Sequence, residues 1–107
     1  MKRGDLVTIA GQGDFGKPRP ALVVQSDLYA NHPTVTVLAL SSDLKEAPML
    51  RVTVEPNEQN GLRARSQVMI DKAFTYRREK FGEAFGQLDD ATMVEINRFM
   101  AVFFGIA

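Results

Sequence analysis

A succession of short β-prone runs, each closed by a turn signal, is the feature that most restricts how this chain can fold. The runs cover residues 5–10, 20–26, 34–40, 49–55 and 66–72, with a shorter candidate at 81–86, and one long helical segment follows at 89–107. Short strands joined by tight turns, with one terminal helix, predict a small, strongly curved antiparallel sheet or barrel of five to six strands. The fold class is therefore α+β, mainly β, and the 107 residues are expected to form a single domain, residues 1–107.

Two of these runs also predict their own place in the sheet. Residues 34–40 (TVTVLAL) carry no charge, which is typical of a central strand covered on both faces. Residues 49–55 (MLRVTVE) alternate between apolar and polar side chains, as in a strand with one face in water. Asn60-Gly61 follows as a strong turn signal between two strands.

The composition excludes several kinds of functional site. The chain has no cysteine, which excludes disulfides, thiolate metal ligands and a cysteine nucleophile. Its single histidine, His32, excludes a multi-histidine metal site, and no phosphate-loop or dinucleotide motif is present, so we expect no metal and no cofactor. The 13 basic and 13 acidic residues cancel, so binding of a polyanion would depend on a local cluster. No run reaches the length of a membrane span, and we expect a cytoplasmic protein without a membrane partner.

Arg19 lies between two prolines directly before an apolar run. Pro18 and Pro20 restrict the backbone on both sides of it, so its position is narrowly defined before any tertiary contact forms. A guanidinium held in this way at the mouth of a core strand suits a fixed anion such as a phosphate. The alternative is that Arg19 only begins the strand and remains in solvent.

The C-terminal helix is apolar around most of its circumference near its end. Asp89 or Asp90 can cap its first turn, with Thr92 as an alternative one turn later. A helix on one small barrel needs a single apolar stripe, so this end is either enclosed by its own barrel or buried against a second copy in a dimer. The residues concerned are Phe99, Met100, Val102, Phe103, Phe104 and Ile106.

Five motifs follow one another in a fixed order along the chain. They are R-G-D-L-V, a glycine-rich loop, R-P-A-L-V-V-Q-S, a strand ending in L-A-L-S-S, and V-M-I-D-K before the final helix. Their order and spacing, from about residue 3 to residue 106, resemble the MazF/PemK/Kid family of toxin endoribonucleases. The resemblance implies an SH3-like barrel, a homodimer, and metal-independent cleavage of single-stranded RNA such as mRNA at short motifs. It also implies a cognate antitoxin protein as a second partner.

The resemblance further implies which residues form the site. Arg19 matches the arginine of the R-P motif and Ser41 the hydroxyl residue after the third strand, and these two are the predicted catalytic residues. The predicted RNA-binding residues are Asp14, Lys17, Ser42 and Asp71. The chain departs from the family at Lys72, where glutamine is usual, and at Met69, where some members have arginine. An Arg/Asp pair on that strand is therefore not supported, and the prediction depends on Arg19 and Ser41.

The residues present are compatible with RNA cleavage. RNA carries its own nucleophile, the 2′-hydroxyl, so the protein has to position the strand, stabilise charge on the phosphate and assist a proton transfer. An arginine can stabilise the phosphate charge with paired N–H donors, and a serine hydroxyl can hold a non-bridging oxygen. Arginine stays protonated at neutral pH, so an acid–base role for it comes from the family resemblance alone.

One alternative function belongs to a different class. The CcdB toxins share the fold of this family but bind and poison DNA gyrase through their C-terminal helix, and this chain has an apolar helix end. The combination of the R-P motif with Ser41-Ser42 favours the nuclease interpretation.

Overall fold

Six strands form one curled, half-barrel sheet in the computed structural model, which describes residues 1–10 and 18–106. The strands are β1 (Asp5–Ile9), β2 (Arg19–Val23), β3 (Thr34–Ser41), β4 (Arg51–Val54), β5 (Ser66–Arg77) and β6 (Gly86–Gln87). Their order in the sheet is β4-β5-β3-β2-β1-β6, and every neighbouring pair is antiparallel. The predicted fold class, a curved antiparallel sheet of five to six strands with a C-terminal helix, is confirmed.

The predicted positions of two strands in the sheet are also confirmed. β3 lies between β5 and β2 inside the sheet, and Val37 and Leu38 on its two faces are both fully buried. In β4, Val52 and Val54 are buried while Thr53 is exposed. The uncharged run therefore became a central strand, and the alternating run became a strand with one face in water.

β5 is longer than the sequence predicted and bends sharply. It continues past residue 72 to Arg77, and its register against β3 shifts between Leu38 and Leu40. Four residues of β5, 69–72, lie opposite the single residue Ala39 of β3. The bend lets the first half of β5 pair with β4 while the second half pairs with the start of β3, and this curls the sheet.

Both faces of the curled sheet are apolar, and the larger of the two clusters packs under the helix. It contains Leu6, Leu22, Leu38 and Ile70 from the strands together with Ile96 of the helix, all fully buried. The smaller cluster lies on the opposite face and is formed by Val7, Ala21, Val23, Val35 and Val37, with Phe74 and Phe81 packed against it. Alternate residues of β1 and β2 thus serve opposite cores.

The sixth strand is shorter and later than predicted. Instead of residues 81–86, it comprises Gly86–Gln87, paired with β1. Phe81 makes only an isolated bridge to Ile9. The Gly82 N–H donates to the Thr8 carbonyl at 2.8 Å, and the next backbone bond to β1 is from the Phe85 N–H to the Leu6 carbonyl at 2.9 Å. The pairing with β1 is therefore irregular between Gly82 and Phe85.

The C-terminal helix, α1 (Asp90–Phe103), is capped by Asp89, as the sequence allowed. The Asp89 carboxylate accepts the Thr92 N–H at 2.7 Å, and hydrogen bonds from the side chain and backbone of Thr92 lower the pKa of Asp89. Arg3 ties the helix to the sheet, because its guanidinium donates to Asn97 Oδ1 at 2.7 Å and to the Val24 carbonyl at 2.9 Å. Within the described part of the chain, no helix is long and apolar enough to cross a membrane.

Candidate active site

A cavity of about 590 Å³ opens where the start of β2 meets the end of β3. Its described lining comes from five separate parts of the chain: β1, the start of β2, the end of β3, the segment that leads into β5, and the residue before β6. The lining residues are Thr8, Pro18, Arg19, Pro20, Leu40, Ser41, Ser42, Gly61, Leu62, Arg63, Ala64, Ser66 and Phe85. We call this the site cavity.

Three of the predicted site residues meet at the site cavity. Arg19 is the first residue of β2 and is exposed; its backbone pairs with Ile9 of β1, which fixes the point where the side chain leaves the sheet. Ser41 is the last residue of β3, and Ser42 follows it on the surface. The two prolines and the two strand ends thus place a guanidinium and two hydroxyls around one volume.

The two serines differ in their hydrogen bonding. The Ser41 Oγ accepts the Asp43 N–H at 3.0 Å, so the hydroxyl oxygen is oriented by the backbone and its hydrogen is left to donate elsewhere. Ser42 is more exposed than Ser41. Ser41 is consequently the better positioned donor of the two.

The loop after Ser41 is held in place by the buried side chain of Gln67 on β5. Its Oε1 accepts the Lys45 N–H at 3.0 Å and an Arg51 N–H at 3.3 Å. Its Nε2 donates to the Lys45 carbonyl at 3.0 Å and to Thr53 Oγ1 at 3.2 Å. Gln67 therefore joins the loop, β4 and β5, and it supports the end of β3 that carries the two serines.

A further part of the site cavity lining, residues 61–64, follows a turn built around Asn60. The Asn60 side chain is only 2% exposed; its Oδ1 accepts the N–H groups of Asn57 and Leu62 at 3.0 Å each, and its Nδ2 donates to the Glu55 carbonyl at 2.8 Å. Gly61 has φ +65°, a conformation that favours glycine. The predicted Asn60-Gly61 turn is confirmed, and it is a rigid one.

Asp71 lies outside the site cavity lining, on the bend of β5. Its carboxylate accepts a hydrogen bond from Lys72 Nζ at 2.7 Å, and this contact lowers the pKa of Asp71. The other two predicted RNA-binding residues, Asp14 and Lys17, lie outside the described residues. The structure thus brings together Arg19, Ser41 and Ser42 and places Asp71 apart from them.

Arg63 and Phe85 also line the site cavity, although neither was predicted as a site residue. Arg63 belongs to the Leu-Arg-Ala-Arg-Ser segment that follows the predicted turn, and a basic residue just beyond a rigid turn is the signal that could have identified it. Phe85 had no local signal, because its place depends on where the chain leaves β1.

The chemistry of the lining suits an anion. Its described residues include two arginines and several apolar side chains, and they include no aspartate or glutamate. Hydroxyls from Thr8, Ser41, Ser42 and Ser66 are added to these. Within residues 1–10 and 18–106, no three histidine, aspartate or glutamate side chains converge in a group that could hold a metal ion.

The sequence of the chain is similar to those of known proteins. Residues 2–104 match a family described as PemK-like, MazF-like toxin of type II toxin-antitoxin system. A probable endoribonuclease MazF from Mycolicibacterium smegmatis is 40% identical over 108 residues, which cover 100% of this chain and 99% of that protein.

Solved structures show the same fold at lower identity. A mycobacterial endoribonuclease in complex with its cognate antitoxin superposes with a TM-score of 0.83 at 22% identity, covering 100% of this chain and 97% of that one. A MazE–MazF crystal structure from Deinococcus radiodurans gives 0.79 at 17% identity, covering 100% and 97%.

Proposed function

The chain belongs to the PemK-like, MazF-like toxin family of type II toxin–antitoxin systems, and on that premise we propose that it is a metal-independent, sequence-specific endoribonuclease of single-stranded RNA, mRNA included. The observation that carries the proposal is the meeting of Arg19, Ser41 and Ser42 at one cavity whose described lining holds no carboxylate. The 40% identity to a probable endoribonuclease supports the same activity. We further propose that it acts in the cytoplasm, where its RNA substrate is made.

The proposed reaction is an internal transesterification. The 2′-oxygen of the RNA attacks the adjacent phosphorus, the bond from phosphorus to the 5′-oxygen breaks, and the proton lost by the 2′-hydroxyl is balanced by the one that the 5′-oxygen gains. The products carry a 2′,3′-cyclic phosphate and a 5′-hydroxyl. Arg19 stabilises the charge that develops on the non-bridging oxygens with its N–H donors, and Ser41 donates its hydroxyl hydrogen to one of them.

Incubation of the purified protein with a long single-stranded RNA in EDTA tests this proposal. Discrete fragments that end in cyclic phosphate are expected, and sequencing of the cleavage ends identifies the motif. RNA that stays intact would contradict the proposal. If gyrase were inhibited at the same time, the gyrase-binding alternative would replace it.

Substitution of Arg19 tests the site assignment separately. Arg19→Ala should keep the fold and lower the cleavage rate by about a hundredfold or more, because a positioned donor to the transition-state charge is lost. Arg65→Ala is the matched control, since Arg65 lies outside the lining and pairs with Glu55 at 2.6 Å. Cleavage by Arg19→Ala within a few-fold of the parent would show that the site is elsewhere.

The two serines are distinguished in the same assay. Ser41→Ala should reduce cleavage more mildly than Arg19→Ala, because Ser42 is close enough to substitute in part. A loss confined to Ser42→Ala would mean that Ser42 supplies the hydroxyl. Asp14, Lys17 and Asp71 remain predicted RNA contacts, and their alanine variants are expected to change binding more than the chemical step.

We also propose that the protein is a homodimer joined through the end of α1. Phe99 and Met100 pack on the core, but Val102, Phe103, Phe104 and Ile106 are 53%, 47%, 49% and 80% exposed. The barrel therefore does not enclose the helix end. Enclosure by its own barrel was the alternative to a dimer that the sequence left open. Apolar side chains exposed together form a patch that a two-fold interface can bury. The exposed helix end is thus accounted for without a gyrase contact.

The second proposed partner is an antitoxin protein whose extended acidic segment lies across the site cavity. Arg19 and Arg63 offer it two cations, and Leu40, Leu62 and Phe85 offer an apolar surface. Such a segment would block access of RNA, and part of its binding should weaken with salt because charge pairing contributes. A product of the neighbouring reading frame that neither binds this protein nor restores growth would count against this partner.

A further inference from the structure

One wall of the site cavity has no role in the proposed cleavage step. It is formed by Leu62, Arg63 and Phe85, which come from other parts of the chain than the two serines. Phe85 is 38% exposed, although large aromatic side chains are usually covered. An exposed aromatic ring in the same cavity as a cationic phosphate site suggests a second binding function.

Backbone contacts on both sides fix the position of Phe85. Its own N–H donates to the Leu6 carbonyl at 2.9 Å, and the Gln87 N–H donates to the Gln59 carbonyl at 3.0 Å. A Cβ on Gly61 would lie 3.3 Å from Phe85 Cδ1, so the ring covers the glycine of the rigid turn. The backbone of Phe85 is therefore held in place and its ring lies against Gly61 before any ligand arrives. This lowers the entropy cost of binding a ligand to the ring.

Arg63 differs from its neighbour Arg65 in a way that is relevant to binding. Arg65 lies outside the lining and its guanidinium contacts the Glu55 carboxylate at 2.6 Å. Arg63 faces the site cavity, and among the described residues no carboxylate lies within salt-bridge distance of it. The cavity lining thus contains two guanidinium groups, from Arg19 and from Arg63, together with apolar side chains.

We propose that Leu62, Arg63 and Phe85 form a subsite for one unpaired nucleotide next to the scissile phosphate, an inference that rests on the proposed RNA cleavage. The base stacks on Phe85 against Leu62, because every base offers a π-face to an aromatic ring. Its phosphate is bound by the Arg63 guanidinium with paired N–H donors. The volume of about 590 Å³ lies within the range of sites that bury small ligands. Phe85 is then a positioning residue that holds the strand in line for attack.

Removal of a single base tests the stacking contact. After the cleavage motif is mapped, substrates are made in which one nucleotide beside the cleaved bond lacks its base. We expect the parent to lose about five- to a hundredfold in kcat/KM on one of these substrates, the range for one stacked base. Phe85→Leu, which still covers Gly61, should lose a similar factor on the intact substrate and nothing further on the abasic one.

Tyr29→Ala is the matched control for the loss of an exposed aromatic side chain. Tyr29 is 57% exposed and lies outside the site cavity. The control variant should cleave the intact RNA like the parent and retain the full penalty for the missing base. If Phe85→Leu loses kcat/KM on the intact RNA and loses the same factor as the parent again on the abasic RNA, the ring and the base do not interact.

The salt dependence of binding tests Arg63. The probe is the same RNA with a 2′-deoxy nucleotide at the cleaved bond, which binds but provides no nucleophile. Arg63→Gln should make the negative slope of log K against log salt shallower by about 0.7, the value for one phosphate contact on a single strand. Arg65→Gln should leave the slope unchanged, and equal slopes for the two variants would overturn the role of Arg63.

These results separate the subsite from the activity on which it depends. A parent protein that cuts no RNA overturns the proposed function, and the subsite with it. A parent that cuts RNA, while Phe85→Leu stays within twofold on every substrate, overturns the subsite alone. Thermal unfolding of each variant, at one protein concentration, confirms that the compared proteins are folded.

Discussion

Gly86→Ala tests the contact that fixes one wall of the site cavity. The alanine Cβ would lie 2.1 Å from the Asn60 carbonyl oxygen and 2.3 Å from its carbon, and both are backbone atoms. Real Cβ atoms keep at least 3.0 Å, so the two segments must separate by about 0.9 Å or more. No rotation of a side chain can relieve this contact.

The loss of stability in Gly86→Ala can be estimated from the hydrogen bonds beside that contact. The Gln87 N–H reaches the Gln59 carbonyl at 3.0 Å beside it, and a separation of that size takes this hydrogen bond beyond 3.5 Å. Loss of one such bond costs about 1 kcal/mol, and overpacking in a close contact costs about 1–3 kcal/mol more. We therefore expect about 2–4 kcal/mol of destabilisation, which corresponds to a fall in Tm of about 10–25 °C for a domain of this size.

Urea and thermal unfolding at one protein concentration measure the effect. Gly82→Ala is the matched control, because its Cβ would meet the Thr8 Oγ1 at 2.7 Å, the end of a side chain that can rotate. The control should lose less than about 1 kcal/mol. A Gly86→Ala protein with a Tm within about 2 °C of the parent would refute the conclusion that this wall is rigid.

Three further predictions concern the helix, the dimer and the loop after β3. Asp89→Ala should lower the free energy of unfolding by about 1 kcal/mol at neutral pH. Because the Thr92 hydrogen bonds lower the pKa of Asp89, this difference from the parent should be present above about pH 4 and vanish as the pH falls through the lowered pKa. Urea titrations at several pH values measure it. A loss that does not change with pH would contradict the cap. Sedimentation at micromolar concentration should show a dimeric parent that Phe103→Glu or Phe104→Glu dissociates, and a monomeric parent would refute the interface. Gln67→Leu should slow RNA cleavage by about tenfold or more, since small misplacements of a site are costly, and an unchanged rate would show that the buried amide does not position the loop.

The longest strand shows why local patterns were not sufficient. Phe74 and Tyr76 are half-buried and alternate with exposed residues, so the second half of β5 follows the strand period. The charged run that begins at Arg77 obscured this pattern, and the sequence ended the strand at residue 72. The bend opposite Ala39 also separates the two halves of β5, so the two halves do not form one continuous pattern.

Of the candidate site, Arg19, Ser41 and Ser42 were predictable from sequence. Arg19 was selected from its Pro-Arg-Pro segment before an apolar run, and Ser41 and Ser42 were selected from the family resemblance at the end of a clearly predicted strand. Arg63 and Phe85 were missed because their roles depend on which distant segment they face. The position of Phe85 in the cavity lining depends on the irregular pairing with β1, in which Gly82 bonds to Thr8 and Phe85 bonds to Leu6.

The sequence by itself determined the number and kind of most elements, the turn at Asn60-Gly61 and the capped helix, because periodicity, turn chemistry and capping act over a few residues. Tertiary structure alone decided the strand order, the bend of β5 and the convergence of five segments on one cavity. It also decided that the end of α1 stays exposed, since a sheet of this curvature covers Ile96 but does not extend to Phe103. These outcomes depend on contacts between residues far apart in the chain, which no local pattern records.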